Sequence, residues 1–169
     1  MLKNSFRFAI SLGAFALGAC GDSDNTPPEQ SVFCAGNGIV ISDAWIRAPR
    51  PGQRTSAAYL SICNGGGVDD TLVSVSFDHA AAAELHMTEI GDDGRATMRP
   101  ETGGVLLAAG TNTTFHPEGR HIMLIAPDSD LASLEEAPIT LTFETEQAIT
   151  ILFEVRKSDG DTPGDHNHH

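Results

Sequence analysis

The chain has no Cys-x-x-Cys pair, no apolar run long enough to cross a bilayer, and few positive charges. Each shortage removes a class of function. Without a paired-thiol motif, a thioredoxin-like redox centre has no support. The apolar run near the start, Phe8 to Leu17, falls well short of the roughly 20 residues a spanning helix needs. Ten Lys and Arg stand against 23 Asp and Glu, a net charge of −13. A surface of that sign repels nucleic acid and anionic lipid. No window repeats apolar residues at helical spacing between caps, no internal repeat is visible, and no nucleophile, base and orienting group fall into a catalytic motif. An enzyme is therefore not expected.

What the chain does have begins with an export signal. Lys3 and Arg7 precede the short apolar run, the pattern of a secretory signal peptide over residues 1–19. It ends in "LGAC", which resembles a bacterial lipobox and makes Cys20 the expected lipid-modified first residue of the mature chain; plain cleavage with Cys20 a bystander is the alternative. A lipid there anchors the protein to a membrane without spanning it. Gly21, not an acid, follows the cysteine, so the leaflet stays open. Loss of residues 1–19 removes two bases and no acid, which leaves 8 basic against 23 acidic residues, net about −15. Residues 20–35, with Pro27 and Pro28, read as a flexible tether, 36–157 as the folded domain, and 158–169 as a tail carrying His166, His168 and His169. That tail is either a weak collector of metal ions or a solvated end. In an oxidising periplasm, Cys34 and Cys63 are expected to pair as a disulfide, with a thiolate metal site as the alternative.

Within the domain, short β-branched or alternating runs are separated by Gly, Pro, Asn and Asp: "GIVISDAWIR", "SAAYLSIC", "TLVSVSF", "AELHMTEI", "RATMRP", "GVLLAA", "TNTTFH", "HIMLIAP", "APITLTFET" and "AITILFEV". Ile139, Leu141 and Phe143 alternate onto one face. The alanines of "DHAAAAELH" read as a turn or a lead-in to a strand. Nine or ten short strands with a turn signal about every ten residues predict an all-β fold, a Greek-key β-sandwich or a small barrel.

Apart from Met1, the methionines are Met87, Met98 and Met123, all within the 38 residues from His86 to Met123. A core that used methionine as gap filler has no reason to confine it to that stretch. Thioether sulfur is soft and neutral and prefers Cu(I); neutral imidazole accepts copper in either oxidation state. Thioethers need no deprotonation and form no disulfides, so they remain available after export. In "RHIMLIAP", His121 and Met123 point the same way. Asp93-Gly94 predicts a tight turn that lays "LHM" beside "TMR". Neighbours in a strand face opposite ways, so His86 is the expected ligand and Met87 a possible alternative or outer group.

The stretch "ELHMTEIGDDGRATMRPETGGVLLAAGTNTTFHPEGRHIMLIAP" resembles the PCu(A)C family of periplasmic copper chaperones, whose motif runs His-(Met), ten residues, Met, about twenty-one residues, His-x-Met. "ISDAWIRAPRPGQRTSAAYLSICNGGGVDD" and "ITLTFE" extend the likeness over residues 38 to 155. The resemblance implies a cupredoxin-like Greek-key β-sandwich with His86, Met98, His121 and Met123 as ligands of Cu(I). It also implies delivery to the binuclear CuA centre in cytochrome c oxidase subunit II, alongside a Sco-type partner. Here the second spacing is twenty-two residues, and His116 adds an imidazole nearby, so the ligand set stays open at Met87 and His116.

Two other functions fit a β-sandwich. A blue-copper electron carrier needs a cysteine thiolate close to its last histidine and methionine, and "RHIMLIAP" has none. A metal-free, immunoglobulin-like adhesion or assembly module treats each Met and His as ordinary packing.

Overall fold

A computed structural model describes Cys34, residues 36–145 and residues 148–157. The signal segment, Cys20, the tether other than Cys34, and the His-rich tail lie outside the described residues. Ten strands follow in chain order: β1 (Ile39–Arg47), β2 (Thr55–Asn64), β3 (Asp70–Ser76), β4 (Ala80–Ile90), β5 (Ala96–Pro100), β6 (Val105–Leu107), β7 (Asn112–Thr114), β8 (Arg120–Pro127), β9 (Glu136–Phe143) and β10 (Ile149–Arg156). Among the described residues there is no α-helix; a 3-10 turn at Leu131–Ser133 joins β8 to β9. The alanine-rich "AAAAELH" is strand β4.

The fold is an all-β Greek-key sandwich built from one hydrogen-bonded sheet that folds back on itself. Its strand order is β5-β4-β8-β2-β1-β10-β9-β3-β6, with β7 added against β2. Every pairing is antiparallel except β1 with β10. That parallel seam divides a first layer, β5-β4-β8-β2-β1, from a second, β10-β9-β3-β6. Alternation supplies the interior. Ile46, Ala58, Leu60, Ile62, Leu85, Ile122 and Leu124 from the first layer share one core cluster with Leu72, Val105, Ile139, Leu141, Phe143 and Phe153 from the second. Burying a side chain of this size contributes about 1.5–3 kcal/mol.

The same alternation leaves the other face of the first layer free for chemistry. In β8, Ile122 and Leu124 are fully buried in the core, so His121 and Met123 project from the outer face. Trp45 and Arg47 flank the buried Ile46 in β1, and Ala57 and Tyr59 flank Ala58 in β2, with the same result.

Two local features hold this layer in register. The β4-β5 hairpin closes through Gly94 N–H to Gly91 O (2.8 Å) and Gly91 N–H to Arg95 O (2.9 Å), with Asp93 accepting from Arg95 N–H. Gly94 sits at φ +74°, a left-handed conformation that suits glycine. At the far end of β2, Cys63 is bonded to Cys34, Cα to Cα 5.6 Å. Closing a loop of this length stabilises the fold by roughly 3–4 kcal/mol in the chain-entropy account.

Candidate metal centre

Strand register decides which side chains can meet. His86 lies directly opposite His121, and Glu84 opposite Met123; Met98 lies opposite Thr88 on the hairpin. Directly paired residues share a face, and Glu84, His86 and Thr88 alternate along β4, so His86, Met98, His121 and Met123 all belong to the outer face. Met87 pairs with Arg120 and belongs to the opposite face. The structure thus puts four of the six candidate donors on one face and directs Met87 away. His116 is exposed and packs against Gly119, where an added Cβ would collide with the imidazole.

Each buried histidine has one ring nitrogen occupied and one free. His121 is 4% exposed, and its Nδ1–H donates to the Gly119 carbonyl at 3.0 Å, which leaves the Nε2 lone pair as the donor atom. His86, 9% exposed, places Nε2 2.9 Å from the Glu84 carboxylate. Its Nδ1 is buried without a partner. Oxygen acceptors of this kind fix the tautomer and orientation of ligand imidazoles. Among the described residues, three buried side-chain polar atoms lack partners, and two of them, His86 Nδ1 and Thr88 Oγ1, belong to this face. Such an orphan costs about 1–3 kcal/mol unless something binds it. The imidazole centroids are 5.9 Å apart at 45°, close enough to share one ion.

A cavity of about 180 Å³ opens beside His121, and Met98 and Met123 line it together with Ala57, Tyr59 and Pro117. His86 stands next to His121, outside that lining. Burial pushes the His121 pKa below its ordinary value, with the neighbouring His86 adding to the effect and the Gly119 hydrogen bond opposing it. His121 is therefore a neutral donor at neutral pH. Two imidazole nitrogens and two thioether sulfurs make a donor set that suits a soft monovalent ion and not calcium or magnesium, which take oxygen.

Three residues around the centre have roles that their sequence context does not announce. Glu84 orients His86; its signal is the i, i+2 spacing that puts both on one strand face. Gly119 supplies the carbonyl for His121. Arg47 lines the cavity with its guanidinium carbon 5.5 Å from the Tyr59 ring centroid. Tyr59 in turn packs on Trp45, ring centroids 4.5 Å apart, so the "DAWIR" and "AAYL" segments form one aromatic flank of the site.

Comparison with known proteins adds three likenesses and a family. A family model described as "Putative lipoprotein LpqE-like" matches residues 39–155. The "Putative lipoprotein Lxx21020" of Leifsonia xyli subsp. xyli (strain CTCB07) is 26% identical over 153 residues, 90% of each chain. Among solved structures, the Cu(I) solution structure of DR1885 from Deinococcus radiodurans superposes with a TM-score of 0.56 at 26% identity, over 78% of this chain and 83% of that one. The copper-bound PCuAC domain from PmoF2 gives a TM-score of 0.59 at 22% identity over 73% of this chain and 97% of that domain, a likeness of fold.

Proposed function

The chain belongs to the LpqE-like lipoprotein family, and from that premise we propose that it is a periplasmic, lipid-anchored copper(I)-binding metallochaperone. The observation that carries this reading is the convergence of His86, His121, Met123 and Met98 on one sheet face, with a buried, unpartnered nitrogen on His86. Copper in the DR1885 and PmoF2 structures supports it. His86 donates through Nδ1, His121 through Nε2, and the two thioethers complete the shell. Thioethers hold Cu(I) less tightly than thiolates, which suits a carrier that must release its cargo. Cys20 carries the anchor. The client in this reading is the CuA centre of cytochrome c oxidase subunit II, with a Sco-type thiol protein as a second partner; the sequence resemblance supports that destination.

An electron carrier is the weaker reading, because Cys34 and Cys63 are bonded to each other and supply no thiolate. The test is metal loading. The protein should take up one Cu(I) in its folded domain and develop no intense visible charge-transfer band, and re-isolated apo subunit II should gain copper after mixing. Absence of Cu(I) uptake overturns the reading, and an intense blue band favours the electron carrier.

A further inference from the structure

Charge around the donor cavity runs against the charge of the molecule. The chain carries 23 Asp and Glu and a net charge of −13, yet no carboxylate lines the cavity and Arg47 does. Four arginines are paired with acids: Arg95 with Asp93, Arg99 with Glu89, Arg120 with Glu101 and Arg156 with Glu154. Among the described residues no carboxylate lies within ion-pairing distance of Arg47, which is placed over Tyr59 instead. Imidazole and thioether ligate a metal in their neutral forms, so a bound monovalent ion keeps its charge. Glu84 is held at His86 Nε2, 2.9 Å away, and is not part of the cavity wall. The wall of a loaded cavity therefore carries the charge of the guanidinium beside that of the ion, while the Glu84 carboxylate stands behind His86 and outside the wall. Repulsion between ion and guanidinium opposes retention, and both attract a negative group that enters the cavity.

We propose that Arg47 recruits the copper acceptor by charge: an acceptor that brings negative charge into the cavity receives the metal faster than a neutral acceptor of equal donor type. The inference rests on the copper(I) reading above and names the partner chemistry of that same site. The step is ligand exchange without redox change. A bond from acceptor donor to Cu(I) forms as a bond from a thioether to Cu(I) breaks, and the copper keeps its oxidation state. Arg47 touches neither bond; it is a positioning residue for the incoming group. Exposed Met98, on edge strand β5, is the thioether first available for displacement.

Neocuproine and bathocuproine disulfonate bind Cu(I) through the same phenanthroline nitrogens; the second adds two phenylsulfonate groups, so the variant-to-wild-type rate ratio, taken for each acceptor against itself, isolates the effect of charge. Transfer from the Cu(I)-loaded protein to each is followed by stopped-flow absorbance at 0.1 M ionic strength, where charges beyond about 10 Å are screened. Arg47→Gln should slow transfer to the sulfonated acceptor about threefold or more. Transfer to neocuproine should change less than about twofold, and Arg47→Lys should keep the wild-type ratio of the two rates. Arg47→Met, which retains the aliphatic stem against Tyr59, gives the same readout if the Gln variant does not fold. Equal slowing of both acceptors, or of neither, overturns the role of Arg47 while leaving copper binding intact. Failure of the wild-type protein to retain Cu(I) on desalting overturns the copper reading itself, before any transfer is measured.

Discussion

His86 and His121 are buried on adjacent central strands, each with one ring nitrogen already engaged by an oxygen. Met98, by contrast, is 57% exposed on an edge strand whose five residues are all exposed. Met123 lies between these extremes, half-buried beside His121. In the proposed donor set the imidazole half is fixed by folding, each ring held by an oxygen acceptor on one nitrogen. The thioether half is left open to solvent and to a partner. A site built to keep an ion would enclose every donor; one built to pass it on needs a rigid seat and one donor that can be exchanged.

The comparison breaks first at the rigid half. Replacing His86 or His121 by Ala should lower Cu(I) retention by a factor on the order of a hundred or more, beyond the 10–100-fold typical of outer-shell losses, as measured by competition with a chromophoric Cu(I) chelator. Glu84→Ala should weaken retention by about tenfold by releasing His86 from its orientation, and Glu84→Gln, which keeps an acceptor, should restore part of it. A smaller effect is expected at the open half. Met98→Leu should reduce retention only a few-fold and leave the apo melting temperature unchanged, since the swap conserves volume and the residue is exposed.

Acidity sharpens the contrast further. Burial lowers the His121 pKa from 6.5, so the unfolded chain binds that proton more readily than the folded one and apo stability rises with pH. Stability should decline as pH falls from 6.5 toward the lowered folded value, then stop declining on this account. Melting curves of apo protein between pH 7 and pH 5 check this, and His121→Gln should flatten the slope.

Strand content was legible because alternation is a local signal. Ile139, Leu141 and Phe143 alternate in sequence and are all buried in the structure, and the Asp93-Gly94 turn closes the hairpin as its residue types require. Which layer a strand joins is not local. "RHIMLIAP" reads as a buried strand, yet its two faces have different roles: Ile122 and Leu124 fill the core while His121 and Met123 face outward. Strand β1 pairs in parallel with β10, more than a hundred residues later, and no short-range pattern announces that. The importance of Glu84 depends on the register of β4 against β8, and that of Arg47 on the pairing of β1 with β2. Candidate donors could be named from residue chemistry and spacing; the groups that orient and surround them could not, because those relations exist only across strands.

The central claim is that two imidazole nitrogens and two thioether sulfurs from three strands hold one Cu(I). X-ray absorption at the copper edge tests it most directly, on protein whose His166, His168 and His169 are replaced by Asn so that the tail supplies no nitrogen. A reduced copper edge and a shell of two nitrogen and two sulfur neighbours are expected, with one sulfur lost in Met98→Leu. A shell of nitrogen and oxygen alone would contradict it.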